Sequence, residues 1–139
     1  MSNNDSSATP PAIEGIITKP SPFSVEETLE RLQTTINSRG LSVFAYINHS
    51  GGAEKVGLKM QEAHVLIFGN AKAGTPLMIA SPLLALDLPL KALVWQDHDE
   101  HVWVSYNSTA YLAARYAIPS ALTRNIAGID PLIASALQS

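Results

Sequence analysis

Apolar residues recur at helical spacing in one segment near the start of the chain. They are Val25, Leu29, Leu32 and Ile36, which fall on one face of an α-helix. Ser24, with Glu27 three residues later, forms the capping-box pattern that begins a helix, and Arg39-Gly40 supplies a stop. The pattern predicts an amphipathic helix between these two signals.

Five other segments show the pattern of β-strands, at about 13–19, 41–47, 64–68, 90–96 and 102–106. In the last of them Val102, Val104 and Tyr106 alternate with Trp103 and Ser105, as expected of a strand. The polar turn 97–100 separates the fourth strand from the fifth. These two strands are therefore predicted to form a β-hairpin.

Further helical segments are predicted at 53–57, from residue 75 onward, at 110–116 and at 120–137. Ser108 or Thr109 would cap the third of these, and Gly128 and Pro131 interrupt the last. Neighbouring strands of the hairpin type outnumber βαβ units in this order. The sequence therefore predicts an α+β fold, a two-layer sandwich in which helices pack on a mostly antiparallel sheet of about five strands.

Composition narrows the possible classes of protein. The chain has 139 residues, of which 46% are hydrophobic and 15% charged, and it suits one α+β domain at 13–139 after a disordered N-terminal tail at 1–12. A net charge of -3 without a basic patch argues against nucleic acid as a partner. The absence of cysteine excludes disulfides and Cys-based zinc sites. No apolar run is long enough to span a bilayer, so we expect no membrane association and a soluble cytoplasmic protein.

The segment 69–75 is the first candidate for a binding site, and it contains Gly69, Asn70, Lys72, Gly74 and Thr75. A strand, a Gly/Asn loop and a helix start at Thr75 would direct backbone N–H groups at one point. That geometry suits an anion or a carbonyl oxygen, and Lys72 would add charge. The alternative is structural: Gly69, Asn70 and Gly74 would supply positive φ in a tight turn. The segment matches neither the P-loop nor the dinucleotide-binding pattern.

Asp87 and His49 are candidates for acid–base chemistry. Asp87 is one carboxylate in an apolar run, where it could act as a general acid or base, or accept backbone N–H bonds that fix the turn before Pro89. His49 stands at a strand end beside Ser50, where it could shuttle protons, ligate a metal or haem, or have no special role. No catalytic residue can be assigned from these patterns.

The predicted hairpin bears on metal binding and on oligomerisation. His98-x-x-His101 lies in an acidic turn where the imidazoles need not converge, so we predict a solvated turn and no metal site. Trp95, Trp103 and Tyr106 favour core packing or a subunit contact over stacking on a ligand. Because bulky apolar residues occupy both faces of the hairpin, we expect a homodimer.

Several short motifs, taken together, resemble the DUF302 family of domains of unknown function. They are Gly69-Asn70, Gly74-Thr75-Pro76, Ala85-Leu86-Asp87-Leu88-Pro89-Leu90, Val94-Trp95 and Val102-Trp103-Val104-Ser105-Tyr106. The resemblance covers about residues 16–118 and includes Ile47-x-His49. It implies a small α+β domain, often a stand-alone bacterial protein, that self-associates. It brings no established activity, cofactor or catalytic residue.

Three functions remain open at this point. A non-catalytic protein that binds a small ligand near 69–75 ranks first. An enzyme that uses Asp87 and His49 on a small polar substrate ranks second, and a homo-oligomeric interaction module ranks third. Convergence of His49, Asn70 and Asp87 in one concave pocket would separate the first two functions, and no cofactor can be named.

Overall fold

A five-stranded antiparallel sheet forms the centre of the computed structural model, which describes residue 10 and residues 12–139. The strands are β1 Ile16–Ser21, β2 Ser42–Asn48, β3 Ala63–Gly69, β4 Leu90–Gln96 and β5 Val102–Asn107. Their order across the sheet is β1-β5-β4-β3-β2. This confirms the predicted α+β fold, including the hairpin of β4 and β5. The tail predicted at 1–12 lies outside the described residues, except for residues 10 and 12.

Helices connect the strands and continue the chain after β5. The α-helices are α1 Val25–Ser38, α2 His49–Lys55, α3 Ala71–Ala80, α4 Thr109–Arg115, α5 Arg124–Ala127 and α6 Ile129–Ala136, with 3₁₀ helices at Pro82–Leu86 and Ser120–Leu122. The hydroxyl of Ser24 accepts the backbone N–H of Glu27 at 3.1 Å and caps α1, as predicted. Gly40, with φ +77°, follows the end of α1 and turns the chain into β2.

The main hydrophobic core lies between one face of the sheet and helices α1 and α6. Because side chains alternate along a strand, Leu66, Phe68, Val94 and Val104 share this face, and all four are fully buried. The same cluster includes apolar side chains of both helices. The alternation read from the sequence therefore selects the face that the two helices cover.

A second apolar cluster joins the helices at one end of the sheet. Leu77 of α3, Leu84, Leu112 of α4, Ile118 and Ile126 of α5 form it. These contacts bring the last quarter of the chain against α3, which follows β3 directly. The cluster thereby places α5 against α3, whereas α6 packs in the main core.

The other face of the sheet contributes no residue to either cluster. Ile16 and Ile47, on the two edge strands, are each 41% exposed. Between them lie the half-buried apolar residues Val65, Ile67, Leu93 and Trp95. We call the surface formed by these six residues the outer face.

Segment 69–75 differs from its predicted form. Gly69 ends β3, Asn70 is the N-cap, and α3 then runs through Gly74 with Pro76 inside the helix. Gly69, Asn70 and Gly74 do not have positive φ. The predicted loop, its positive φ angles and the helix start at Thr75 are therefore wrong. The side chain of Asn70 caps the helix in place of Thr75, so that α3 begins at Ala71.

The short turn predicted at 53–57 is also part of a longer helix. The side chain of Asn48 accepts the backbone N–H of Gly51 at 2.8 Å, so that α2 begins at His49. The sequence pattern placed the start of both α2 and α3 too late for the same reason. Glycine follows the capping asparagine in each segment, Gly51 and Gly52 in α2 and Gly74 in α3, and glycine disfavours the helix interior.

Candidate ligand-binding cavity

A cavity of about 420 Å³ opens between the β3–α3 junction and helices α5 and α6. Its walls are mainly apolar, with Phe44, Met78, Leu88, Ile129 and Leu132 among the lining residues. The β2–β3 register shifts between Val43 and Ala45, so Phe44 lies at a β-bulge, a feature that redirects a side chain. This size and lining are typical of sites for small organic molecules.

Four of the seven predicted site residues line this cavity: Gly69, Asn70, Gly74 and Thr75. Their place in the fold explains the grouping, because Gly69 ends β3 and the other three lie in the cap and first turns of α3. Lys72, in the same helix, is exposed and does not line the cavity. The structure thus places the two glycines, Asn70 and Thr75 of the predicted site at the cavity, but not Lys72.

The backbone N–H groups of this segment are largely used within it. The N–H of Lys72 bonds to the Asn70 side-chain oxygen at 2.7 Å, and those of Ala73 and Gly74 bond to the Asn70 carbonyl at 3.0 and 2.9 Å. An anion cradle made of these three N–H groups is therefore not present. These three N–H groups are therefore not available to a charged ligand.

Two arginine side chains supply positive charge at the cavity. Arg39 follows the end of α1 and Arg124 begins α5, and both line the cavity while remaining exposed. No aspartate or glutamate is among the lining residues in the described part of the chain. The nearby side-chain amide of Asn125 donates to the Ala73 carbonyl at 3.0 Å and holds α5 against α3. The walls are thus mainly apolar, and the charged side chains that line the cavity are both positive.

Asp87 lies in a separate polar cluster. Its carboxylate accepts hydrogen bonds from Arg115, at 3.0 Å, and from the hydroxyl of Tyr116. The hydrogen bond to Asp87 raises the pKa of the Tyr116 hydroxyl. Asp87 therefore joins the end of the 3₁₀ helix Pro82–Leu86 to the end of α4. Its carboxylate partners are side chains, whereas the sequence interpretation favoured backbone N–H groups.

His49 lies far from Asn70. It follows Asn48, which pairs with His64 near the start of β3, whereas Asn70 follows Gly69 at the end of β3. A strand of seven residues separates its two ends by about 20 Å. Asp87 precedes β4, whose first residue, Leu90, pairs with Phe68 near the end of β3, so Asp87 lies toward the Asn70 end. The structure does not bring His49 and Asp87 together as an acid–base pair.

A hydrogen-bonded chain of side chains was missed by the sequence interpretation. The Tyr46 hydroxyl lies 2.7 Å from Nδ1 of His64, and Nε2 of His64 lies 2.7 Å from a carboxylate oxygen of Glu62. His64 is buried, and its ring stacks on Tyr46 with centroids 5.8 Å apart. The spacing of Glu62 and His64 by two residues was the available signal, since such residues share one side of a strand. None of the three lines the cavity.

Asp97, Asp99 and His101 at the hairpin turn place possible ligand atoms within 4.8 Å of one another. Asp97 already accepts the backbone N–H groups of Asp99 and His101 and the indole N–H of Trp103, each at 2.9 Å. Burial raises the pKa of Asp97, but these hydrogen bonds outweigh it and leave the pKa below its usual value. The carboxylate therefore organises the turn.

One known family matches the part of the chain that forms the cavity. The family model of Domain of unknown function DUF302 matches residues 17–136. The chain belongs to the DUF302 family. The match includes α5 and α6, which line the cavity and lie beyond the motifs that carried the resemblance in the sequence.

A DUF302 protein of known structure has the same fold. The crystal structure of an uncharacterized conserved protein DUF302 from Bacillus stearothermophilus is similar with a TM-score of 0.75, covering 90% of this chain and 97% of that chain. The two sequences are 20% identical. At this identity the similarity shows the fold alone.

Curated relatives of this DUF302 chain come from Brucella. They are the proteins named Fluoride-specific ion channel FluC 1 in Brucella suis biovar 1 (strain 1330) and in Brucella abortus biovar 1 (strain 9-941). Each is 39% identical over 104 residues, which is 75% of this chain but only 41% and 38% of the two relatives. The chain thus spans about two fifths of their length. Within the described residues, no helix has the length and apolar character needed to cross a membrane.

Proposed function

We propose that this DUF302 protein is a non-catalytic binding protein for a small organic molecule. The observation that carries the proposal is the apolar cavity of about 420 Å³ at the β3–α3 junction. Its volume lies in the range of small-molecule sites, and most of its lining side chains are apolar. The separation of His49 from Asp87 argues against the acid–base enzyme considered from the sequence.

Fluoride suits this cavity poorly as a ligand. The relatives named as fluoride-specific channels extend well beyond the part that this chain matches. A bare halide ion loses its hydration on binding and requires several close polar donors in return. The N–H groups at the start of α3 are already bonded, so the charged donors at the cavity are those of Arg39 and Arg124, and the apolar walls would gain no contact from so small an ion. The cavity instead favours a ligand with an apolar body.

Titration with octan-1-ol, followed by two-dimensional NMR of the ¹⁵N-labelled protein, tests the proposal. We expect saturable shift changes at Gly74, Thr75 and Ile129, since these residues line the cavity. Gly74→Leu should abolish the changes, because the added side chain would extend from a point 3.9 Å from Leu88 and Met78.

Gly52→Leu is the matched control for this titration. Gly52 lies in α2, and a side chain built there meets nothing within 4 Å. It should bind octan-1-ol like the unmodified protein. The proposal is contradicted if no residue shifts, or if the shifts persist unchanged in a folded Gly74→Leu protein.

A second role, self-association, is favoured by the outer face. The helices of the described chain leave its six apolar residues partly exposed. Burial of such a face against a second copy would remove apolar surface from water at about 25 cal/mol per Å². We therefore propose a homodimer that pairs outer face to outer face, which agrees with the dimer expected from the hairpin sequence.

Sedimentation at micromolar concentration tests the dimer. Ile67→Glu, at the centre of the outer face, should shift the protein toward monomer, whereas Ile79→Glu, on the exposed surface of α3, should not. A single species of 14.9 kDa in the unmodified protein would remove this proposal. The cytoplasmic location expected from the sequence stays a prediction.

A further inference from the structure

We propose that the ligand of the cavity is an organic monoanion, with its apolar body inside the cavity and its carboxylate bound by Arg39 and Arg124. This inference rests on the proposed binding function and adds the chemical class of the ligand. It assigns recognition of the head group to two residues that lie outside segment 69–75.

The four arginines of the chain divide into two pairs by their contacts. Arg31 donates to the backbone carbonyls of Ala136 and Gln138, at 2.8 and 2.5 Å, and Arg115 donates to Asp87. Among the described residues, neither Arg39 nor Arg124 forms an ion pair or a side-chain hydrogen bond. The two arginines whose side chains have no such partner in the described chain are the two that line the cavity.

The charge balance around the cavity points in the same direction. The protein as a whole has a net charge of -3, yet the described lining combines two arginines with no acidic residue. Guanidinium groups keep their charge at all ordinary pH values and match the planar, two-oxygen shape of a carboxylate. An anionic head group would therefore complete the contacts that these side chains lack.

The rest of the lining limits what kind of anion would bind. Apolar side chains such as Met78, Leu88 and Ile129 dominate the walls, and the described cavity offers few polar groups for a second charged or hydroxylated part. A compact inorganic anion would leave these walls without contacts. An amphipathic molecule, with one anionic end and an apolar remainder, uses both parts of the site.

Three probes with the same eight-carbon chain test the inference on the unmodified protein: octanoate, octan-1-ol and octylammonium. We expect octanoate to bind at least tenfold more tightly than octan-1-ol, and octylammonium to bind most weakly. The preference for octanoate should decrease between 50 mM and 500 mM NaCl, because salt screens charges at an exposed rim.

Variants then assign the preference to the two arginines. Arg39→Gln with Arg124→Gln should bring the affinity for octanoate down to that for octan-1-ol, while the affinity for octan-1-ol stays within about twofold. Lys55→Ala with Lys59→Ala removes the same charge and serves as the control, since neither lysine lines the cavity. This control should retain the preference for octanoate.

The outcomes separate the two proposals. Failure of all three probes to bind overturns both the binding function and the inference. Equal binding of octanoate and octan-1-ol in the unmodified protein, or a preference that survives in the folded double arginine variant, overturns the inference and leaves the binding function standing. Circular dichroism and thermal melting establish that each variant is folded.

Discussion

Two charged regions of this domain contrast in how their charges are satisfied. Asp87, with its side chain 24% exposed, is bonded to Arg115 and Tyr116 and joins two helical segments. Arg39 and Arg124 lie at the cavity and have no bonded partner in the described chain. Asp87 was the more conspicuous residue in the sequence because of its apolar surroundings, yet its contacts are those of a structural residue.

The contrast shows which charges are available for a ligand. A carboxylate held by two donors gains little from exchanging them, and removing it leaves those donors unsatisfied. A guanidinium at an apolar cavity with no partner can gain an anion without losing a protein contact. We therefore expect substitutions at Asp87 to change mainly stability and substitutions at the two arginines to change mainly binding.

Asp87→Ala should give the largest change in stability. The hydrogen bonds from Tyr116 and Arg115 are lost, and the free energy of unfolding should fall by about 1–2 kcal/mol, less than for a fully buried pair because Arg115 is 54% exposed. Urea denaturation measures this change, and octanoate titration provides the control. Unaltered stability, or a loss of octanoate binding in the folded variant, would contradict the structural role of Asp87.

Gly74→Ala should change stability in the opposite direction. Gly74 lies inside α3 without positive φ, and an added Cβ would be 3.9 Å from Leu88 and Met78, an ordinary contact. Alanine is favoured over glycine in a helix, so unfolding should cost about 0.5–1 kcal/mol more. Thermal and urea unfolding measure the gain. A destabilised variant would show that the start of α3 is packed differently from this structure.

Tyr116→Phe should remove a stabilisation that depends on pH only at high pH. Its hydrogen bond to Asp87 raises the pKa of Tyr116 in the folded protein above the value of about 10 in the unfolded chain. The resulting stabilisation is complete below pH 10 and is lost as the pH rises through the folded pKa. The stability difference between the two proteins should therefore be constant from pH 7 to 9 and shrink above pH 10. A difference that does not depend on pH would argue against the Asp87 bond.

Arg39→Ala should give the smallest change in stability. Its side chain is exposed and has no ion pair or hydrogen bond within the described residues, so the free energy of unfolding should change by less than about 0.5 kcal/mol. Urea denaturation of Arg39→Ala and Asp87→Ala under the same conditions compares the two losses of stability directly. A loss as large as that of Asp87→Ala would mean that Arg39 has a structural partner.

Local patterns in the sequence predicted the framework of the fold. Ser24 and Glu27 marked the start of α1, and alternation around Val102 and Val104 marked β5, because capping and strand periodicity are properties of neighbouring residues. The start of α3 was placed too late because Gly74 and Pro76 disfavour a helix interior. Gly74 and Pro76 disfavour this helix locally, but the helix buries Leu77 in the second apolar cluster.

The sequence predicted one part of the candidate site, segment 69–75, and not the two arginines. Segment 69–75 is contiguous, so its role as one wall of the cavity could be anticipated from residues such as Gly69 and Thr75. Arg39 and Arg124 are far apart in the chain, and no spacing relates them. The partners of Asp87 lie 28 and 29 residues away and follow equally from the fold alone.

Intermolecular NOEs between octanoate and the methyl-labelled protein would locate the bound ligand. We expect NOEs from the octanoate chain to the methyl groups of Met78, Leu88 and Ile129, which line the cavity. The outer face carries its own methyl groups, on Ile67 and Leu93, and these should show none. NOEs confined to the outer face, or no NOEs at saturating octanoate, would contradict the claim that the cavity is the binding site.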